Sequence, residues 1–181
     1  TPQGAAVTSS DTPFDYGNRQ PLLQSFSVNS NDEAFTLAVN HFKSKGSCGS
    51  ATGNDADSGD GQGCWNELRT QAAEGLIALV QQNSEVLSDR VIVMGDLNAY
   101  AKEDPILALE SAGYSNVVNV SDGDSAYSYR FGGEMGYLDH ALSSPSLTEY
   151  VVDATVWHIN ADEPRVFDYN VEYKSETQLS S

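Results

Sequence analysis

Leu22, Gln24, Phe26 and Val28 alternate with Leu23, Ser25 and Ser27, and the alternation resumes beyond residues 29–33 with Phe35, Leu37 and Val39 on one face. Period-two patterning on both sides of a turn signal predicts two strands, 22–28 and 34–42, joined as a hairpin, with His41 continuing the second face to its end. From Trp65 to about Asn83, residues Leu68, Ala72, Leu76, Leu79 and Val80 recur at helical spacing and predict a helix. The apolar run Val91–Met94 reads as a short strand buried on both faces. Asp104-Pro105 opens a second helix, with Asp104 as N-cap and Gly113 as the stop. Residues 127–131 and 136–142 read as further strands, the latter carrying Asp139 and His140 on opposite faces with Asp139 as the buried member of a charge network. Val151–Trp157 reads as another strand. Residues 1–17 read as a lead-in loop, 114–126 as loop and short strand, and 158–164 and the tail 168–181 as polar segments. The order strand, helix, strand predicts an α/β fold in one domain.

Composition narrows the partners. The 181 residues hold 26 acidic and 9 basic side chains, a formal charge of −17. That balance argues against a tight non-specific grip on a polyanion, yet it is compatible with an enzyme that brings divalent cations to its substrate. It also suits solubility in salty surroundings. No apolar run reaches the length of a membrane span, so no membrane partner is expected. Cys48 and Cys64 bracket a loop rich in Gly, Ser and Asp; they read as a disulfide pair, the alternative being two free thiols. Residues 54–61 resemble a calcium loop only superficially, because the regular acidic positions and closing Glu are missing.

Candidate chemistry gathers after the central apolar run. Gly95 breaks it, and Asp96 and Asn98 follow two apart, so a carboxylate and a carboxamide leave the end of a rigid strand together. Asp96 can accept a proton or hold a hard cation, and Asn98 can bond a phosphate or a water. The alternative is a turn in which both side chains satisfy backbone groups. His41 is either a base or a capped core residue. Lys43 and Lys45 form a small basic cluster, and Arg69, unfavourably placed in a first helical turn, asks for a nearby carboxylate or phosphate.

Several blocks in order now resemble one family: Asn18-Arg19-Gln20-Pro21, residues 39–46 around His41, Gly95-Asp96-Leu97-Asn98-Ala99, residues 137–142 around Asp139, and residues 157–164. The chain resembles the secreted bacterial nucleases of the endonuclease/exonuclease/phosphatase superfamily, relatives of pancreatic-type deoxyribonuclease. The resemblance implies a four-layered α/β sandwich, two mixed sheets face to face with helices outside. It implies hydrolysis of phosphodiesters in extracellular DNA, or RNA, with Mg²⁺, or Ca²⁺ or Mn²⁺ in its place. Asp96 would activate or orient water, Asn98 would hold phosphate, and both would serve the metal. His41 would bond phosphate or assist proton transfer, and Asp139 would orient a second His. Arg19, with Lys43, Tyr129 and Arg130, would contact substrate. Secretion, with a signal segment upstream, is expected.

The sequence also departs from the family. A strand with the metal-binding Glu, and a closing Ser-Asp-His, have no counterpart here. His140 follows Asp139 on the opposite face and cannot replace that His; His158 is a remote candidate. The chain therefore reads as the larger C-terminal part of the domain, expected to meet a complementary fragment of the same polypeptide or to self-associate. Alternative functions are a phosphomonoesterase, a phospholipid phosphodiesterase, or a non-catalytic binding module of the same fold.

Overall fold

The computed structural model describes residues 1–159, 161–163 and 174–179. Its centre is a mixed six-stranded sheet in the order β1-β2-β3-β4-β8-β5. The strands are β1 (Pro2–Thr8), β2 (Leu22–Ser27), β3 (Ala34–His41), β4 (Val91–Asp96), β5 (Ser115–Asn116) and β8 (Asp139–Ser143), with β6 (Tyr129–Phe131) and β7 (Glu134–Gly136) forming a separate hairpin. β3 and β4 run parallel, joined by α1 (Asn66–Gln82), and every other ladder is antiparallel. The remaining helices are α2 (Asp104–Ser111), α3 (Val117–Asp122), α4 (Pro145–Thr148) and α5 (Glu176–Leu179). This is the mixed α/β fold that the patterning predicts. Of the two sheets the resemblance implies, one large sheet is present among the described residues.

One face of the sheet is closed. Leu23, Ala38, Val91, Val93 and Leu142 join Ala72, Ala73 and Leu76 of α1 and Ile106 and Leu109 of α2 in one buried cluster. On β3 the buried side is Thr36, Ala38 and Asn40, whereas Val39 on the other side is 44 % exposed. Period two groups Phe35, Leu37 and Val39 together but does not say which face the helices cover. Thr36 is tolerated inside because its hydroxyl bonds Ser25 Oγ and donates to the Ser88 carbonyl. Met94 is 38 % exposed and Leu22 50 %, so β4, expected to be covered on both sides, is covered on one.

Other expectations give way for local reasons. Residues 2–8 form a strand, an edge strand exposed nearly throughout with an irregularity between Gln3 and Val7, which leaves no apolar period to read. Val151–Trp157 makes no strand ladder; Val152 and Trp157 stand almost fully exposed. Glu103, not Asp104, is the N-cap of α2: its backbone is extended, and its carboxylate makes no cap bond but pairs with Lys45. In β8 the burial is reversed: His140 is the buried residue and Asp139 the exposed one. Parts of the 157–164 block and of the tail, including Asn160 and Pro164, lie outside the described residues.

Candidate active site

β3 and β4 end side by side, and their parallel register sets His41 opposite Asp96. The antiparallel ladder from β4 to β8 sets Asp96 opposite Asp139. Residues at alternate positions share a face, so His41, Asp96 and Asp139 continue the rows of Val39, Met94 and Ala141 onto the outer, open side of the sheet. Gly95 permits the approach: its φ is +126°, and a Cβ there would lie 2.1 Å from the Asn40 carbonyl oxygen.

The turn after β4 fixes Asp96. Asp96 Oδ1 accepts the Asn98 backbone N–H at 2.9 Å, with Asn98 in the left-handed region at φ 49°. Asn98 Nδ2 donates to the Phe42 carbonyl at 3.1 Å. The turn reading of Asp-x-Asn is therefore realised, and it leaves Asp96 Oδ2 facing His41 Nε2 at 3.7 Å. Both side chains are reachable from solvent. The Asp139 carboxyl is pushed above the ordinary aspartate range by partial burial and then by the Asp96 charge, with His41 acting the other way.

Of the basic residues, Lys45 is paired with Glu103, Arg90 with Glu33, Lys102 with Asp124 and Arg130 with Asp162. Of the expected substrate contacts, Arg130 is thus taken by a carboxylate, as is Lys45 of the small basic cluster. Arg19 and Lys43 have no carboxylate within ion-pair distance among the described residues. Lys43 lies 4.8 Å over the Trp65 ring and donates to the Ser44 carbonyl; desolvation, then the Arg69 charge, lower its pKa. Tyr129 stands on the β6–β7 hairpin, stacked on Phe131 at 6.2 Å. His158 stacks on Tyr127 at 3.9 Å.

Arg69 makes no ion pair with a carboxylate among the described residues. Fully buried, it donates to the carbonyls of Lys43, Cys64 and Gln62 and so ties down the loop that carries Lys43. The disulfide Cys48–Cys64 closes the same loop. Asp55, in the segment that resembles a calcium loop only superficially, accepts the Leu68 N–H in the first turn of α1.

Among the described residues, no cluster of three or more His, Cys, Asp or Glu side chains suited to a metal ion is present. The donor chemistry nevertheless fits a hard divalent cation at Asp96: its carboxylate stands opposite that of Asp139 on the neighbouring strand, and oxygen donors of this kind suit such an ion. Asn98 has committed its amide nitrogen and keeps its carbonyl oxygen as a donor.

The Endonuclease/Exonuclease/phosphatase family matches residues 11–162, and the chain belongs to that family. Its fold is similar to that of the human Nocturnin catalytic domain with bound sulfate anion, at 19 % identity and a TM-score of 0.56 over 79 % of this chain and 48 % of that one. A mannosyl-6-phosphatase of Bacteroides thetaiotaomicron is similar over 70 % of this chain and 44 % of its own, at 14 % identity and a TM-score of 0.48. Sphingomyelinase C of Streptomyces griseocarneus is similar over 69 % and 42 %, at 14 % identity and a TM-score of 0.41. The chain spans less than half the length of each of these structures. No curated protein matches it.

Proposed function

We propose that the chain is the catalytic-site-bearing part of a secreted, divalent-metal-dependent nuclease that hydrolyses phosphodiester bonds of extracellular DNA. The observation that carries this reading is the pairing of His41 with Asp96 at an open sheet end, beside two cations left without carboxylates. Asp96, oriented by the Asn98 N–H, holds and deprotonates the attacking water, and His41 bonds a phosphoryl oxygen or moves a proton. Asp96 and the Asn98 carbonyl oxygen would hold Mg²⁺, which when bound neutralises charge on the phosphoryl oxygens. Arg19 offers a fork of donors to phosphate and Lys43 a point charge.

The outer sheet face supports a second part of the proposal. Leu22, Val39 and Met94 are apolar and exposed on the face whose end carries the site. A strand apolar on both sides suits cover on both sides. We infer that a further segment of the same polypeptide, or a second copy, packs there and abuts His41 and Asp96. The disulfide supports an oxidising compartment.

The test is plasmid degradation with Mg²⁺, with and without chelator, on the wild type and Asp96→Ala. Chelator-sensitive cleavage that Asp96→Ala abolishes is expected; cleavage surviving that change places the site elsewhere.

A further inference from the structure

Beside His41 lies a cleft of about 350 Å³ whose walls include Tyr16, Arg19, His41 and Lys43. Its lining contains no Asp or Glu, in a chain with 26 of them. The lining itself therefore carries positive charge in an acidic molecule, from the two cations described above, with the Asp96 carboxylate 3.7 Å from His41 at its edge. Tyr16 is 68 % exposed at the rim.

The cleft is built by specific contacts. Asn18, 6 % exposed, donates to the carbonyls of Pro13 and Leu68, and its Oδ1 accepts the Lys43 N–H at 2.9 Å. The Arg19 N–H donates to the His41 carbonyl at 2.9 Å, and the Asn18 N–H to the Tyr16 carbonyl at 2.9 Å. Gly17 has φ +77°, and a Cβ there would lie 2.8 Å from Leu68 and 3.2 Å from Lys43. Residues 16–19 are thus pinned to the end of β3, and Tyr16 sits in the same short segment as the free guanidinium.

We propose that this cleft is a nucleotide subsite next to the scissile phosphate, in which Tyr16 stacks a base while Arg19 and Lys43 hold its phosphate. It rests on the nuclease reading and deepens it: Tyr16 selects phosphate esters that carry an aromatic base over those that do not. A base so stacked must be unpaired, so single strands and frayed ends are the preferred occupants. Stacking on an exposed aromatic is sequence-tolerant and changes affinity about tenfold.

The test is calorimetric titration with a thymidine dinucleotide and its analogue lacking one base, with chelator present so that nothing is cleaved. Wild type is expected to favour the intact dinucleotide about tenfold. Tyr16→Ala should bring the ratio to near one, and Tyr16→Trp should restore it. Equal binding of both ligands by wild type, no binding of either, or an unchanged ratio in Tyr16→Ala each overturns the proposal. Cleavage with Mg²⁺ is read separately, so a chain that discriminates bases but never cleaves refutes the nuclease reading and leaves the subsite standing.

Discussion

Replacing Arg69 by Met keeps the aliphatic bulk and removes the guanidinium. Three carbonyls then lose a donor: Cys64 at 2.9 Å in a fully buried setting, and Lys43 at 3.3 Å and Gln62 at 3.2 Å in partly buried ones. A buried carbonyl left unpaired costs about 1–3 kcal/mol, and a partly buried one, which water can reach, nearer ~0.5–1 kcal/mol. Against this stands relief from burying a guanidinium that desolvation disfavours and that Glu103 and Asp55 only partly compensate. The net expectation is destabilisation by about 3 kcal/mol. In urea, with a slope of about 1–3 kcal/mol/M, the midpoint falls by roughly 1–3 M. Arg69→Lys, which keeps the charge but not the fork, should fall between. Equilibrium unfolding followed by tryptophan fluorescence reads this directly, since Trp65 precedes α1 and its indole N–H donates to the Gly46 carbonyl in the same loop. A loss under ~1 kcal/mol would refute the claim that this side chain, and not the disulfide alone, holds the loop.

Gly95→Ala should destabilise by more than about 3 kcal/mol in the same assay, because the added methyl meets the Asn40 carbonyl oxygen at a positive φ; normal stability would show that β3 and β4 can separate there freely. Reducing Cys48–Cys64, sixteen residues apart, should lower stability by about 3 kcal/mol, read as a fall in melting temperature with reductant, and Cys48→Ser should abolish that response. Burial lowers the His140 pKa to about 4 from an ordinary 6.5. Between those values the unfolded chain binds a proton that the folded one does not, so stability is full above pH 6.5 and falls as pH drops toward 4. The total loss is about 3 kcal/mol; His140→Asn should flatten that slope, and an unchanged slope in urea titrations would contradict it.

The strand pair 22–27 and 34–41, helix α1 and strand β4 were readable because their periods are long and their turns well marked. Face assignment was not, since alternation groups Phe35 with Val39 and Thr36 with Ala38 but is silent on where the helices lie. The candidate site residues were legible as separate motifs, and their juxtaposition was not. His41 and Asp96 are 55 positions apart, and it is the parallel crossover through α1 that puts them in register. The fates of the cations were illegible. Lys45 and Arg130 look identical in sequence to Arg19 and Lys43, and only the fold shows that Glu103 and Asp162 take the first two. Tyr16 carried one weak signal, an aromatic in a polar segment two residues before Asn18-Arg19.

The position of the candidate site is compatible with the proposed phosphate pocket in an acidic chain. His41 and Asp96 stand on the side of the sheet away from α1 and α2, where strand ends meet and the backbone of residues 16–19 is tied to the end of β3. Lys45 and Arg130 are taken up by Glu103 and Asp162, so the positive charge at this end comes from Arg19 and Lys43, set against the carboxylates of Asp96 and Asp139. Field lines are strongest where low-dielectric walls flank a cleft of one sign. An apolar layer on Leu22, Val39 and Met94 would thicken that wall and exclude water beside Asp96. On the proposed nuclease reading, covering the open face is expected to raise phosphate affinity without adding a single charge, which would tie packing of the outer face to activity at its edge.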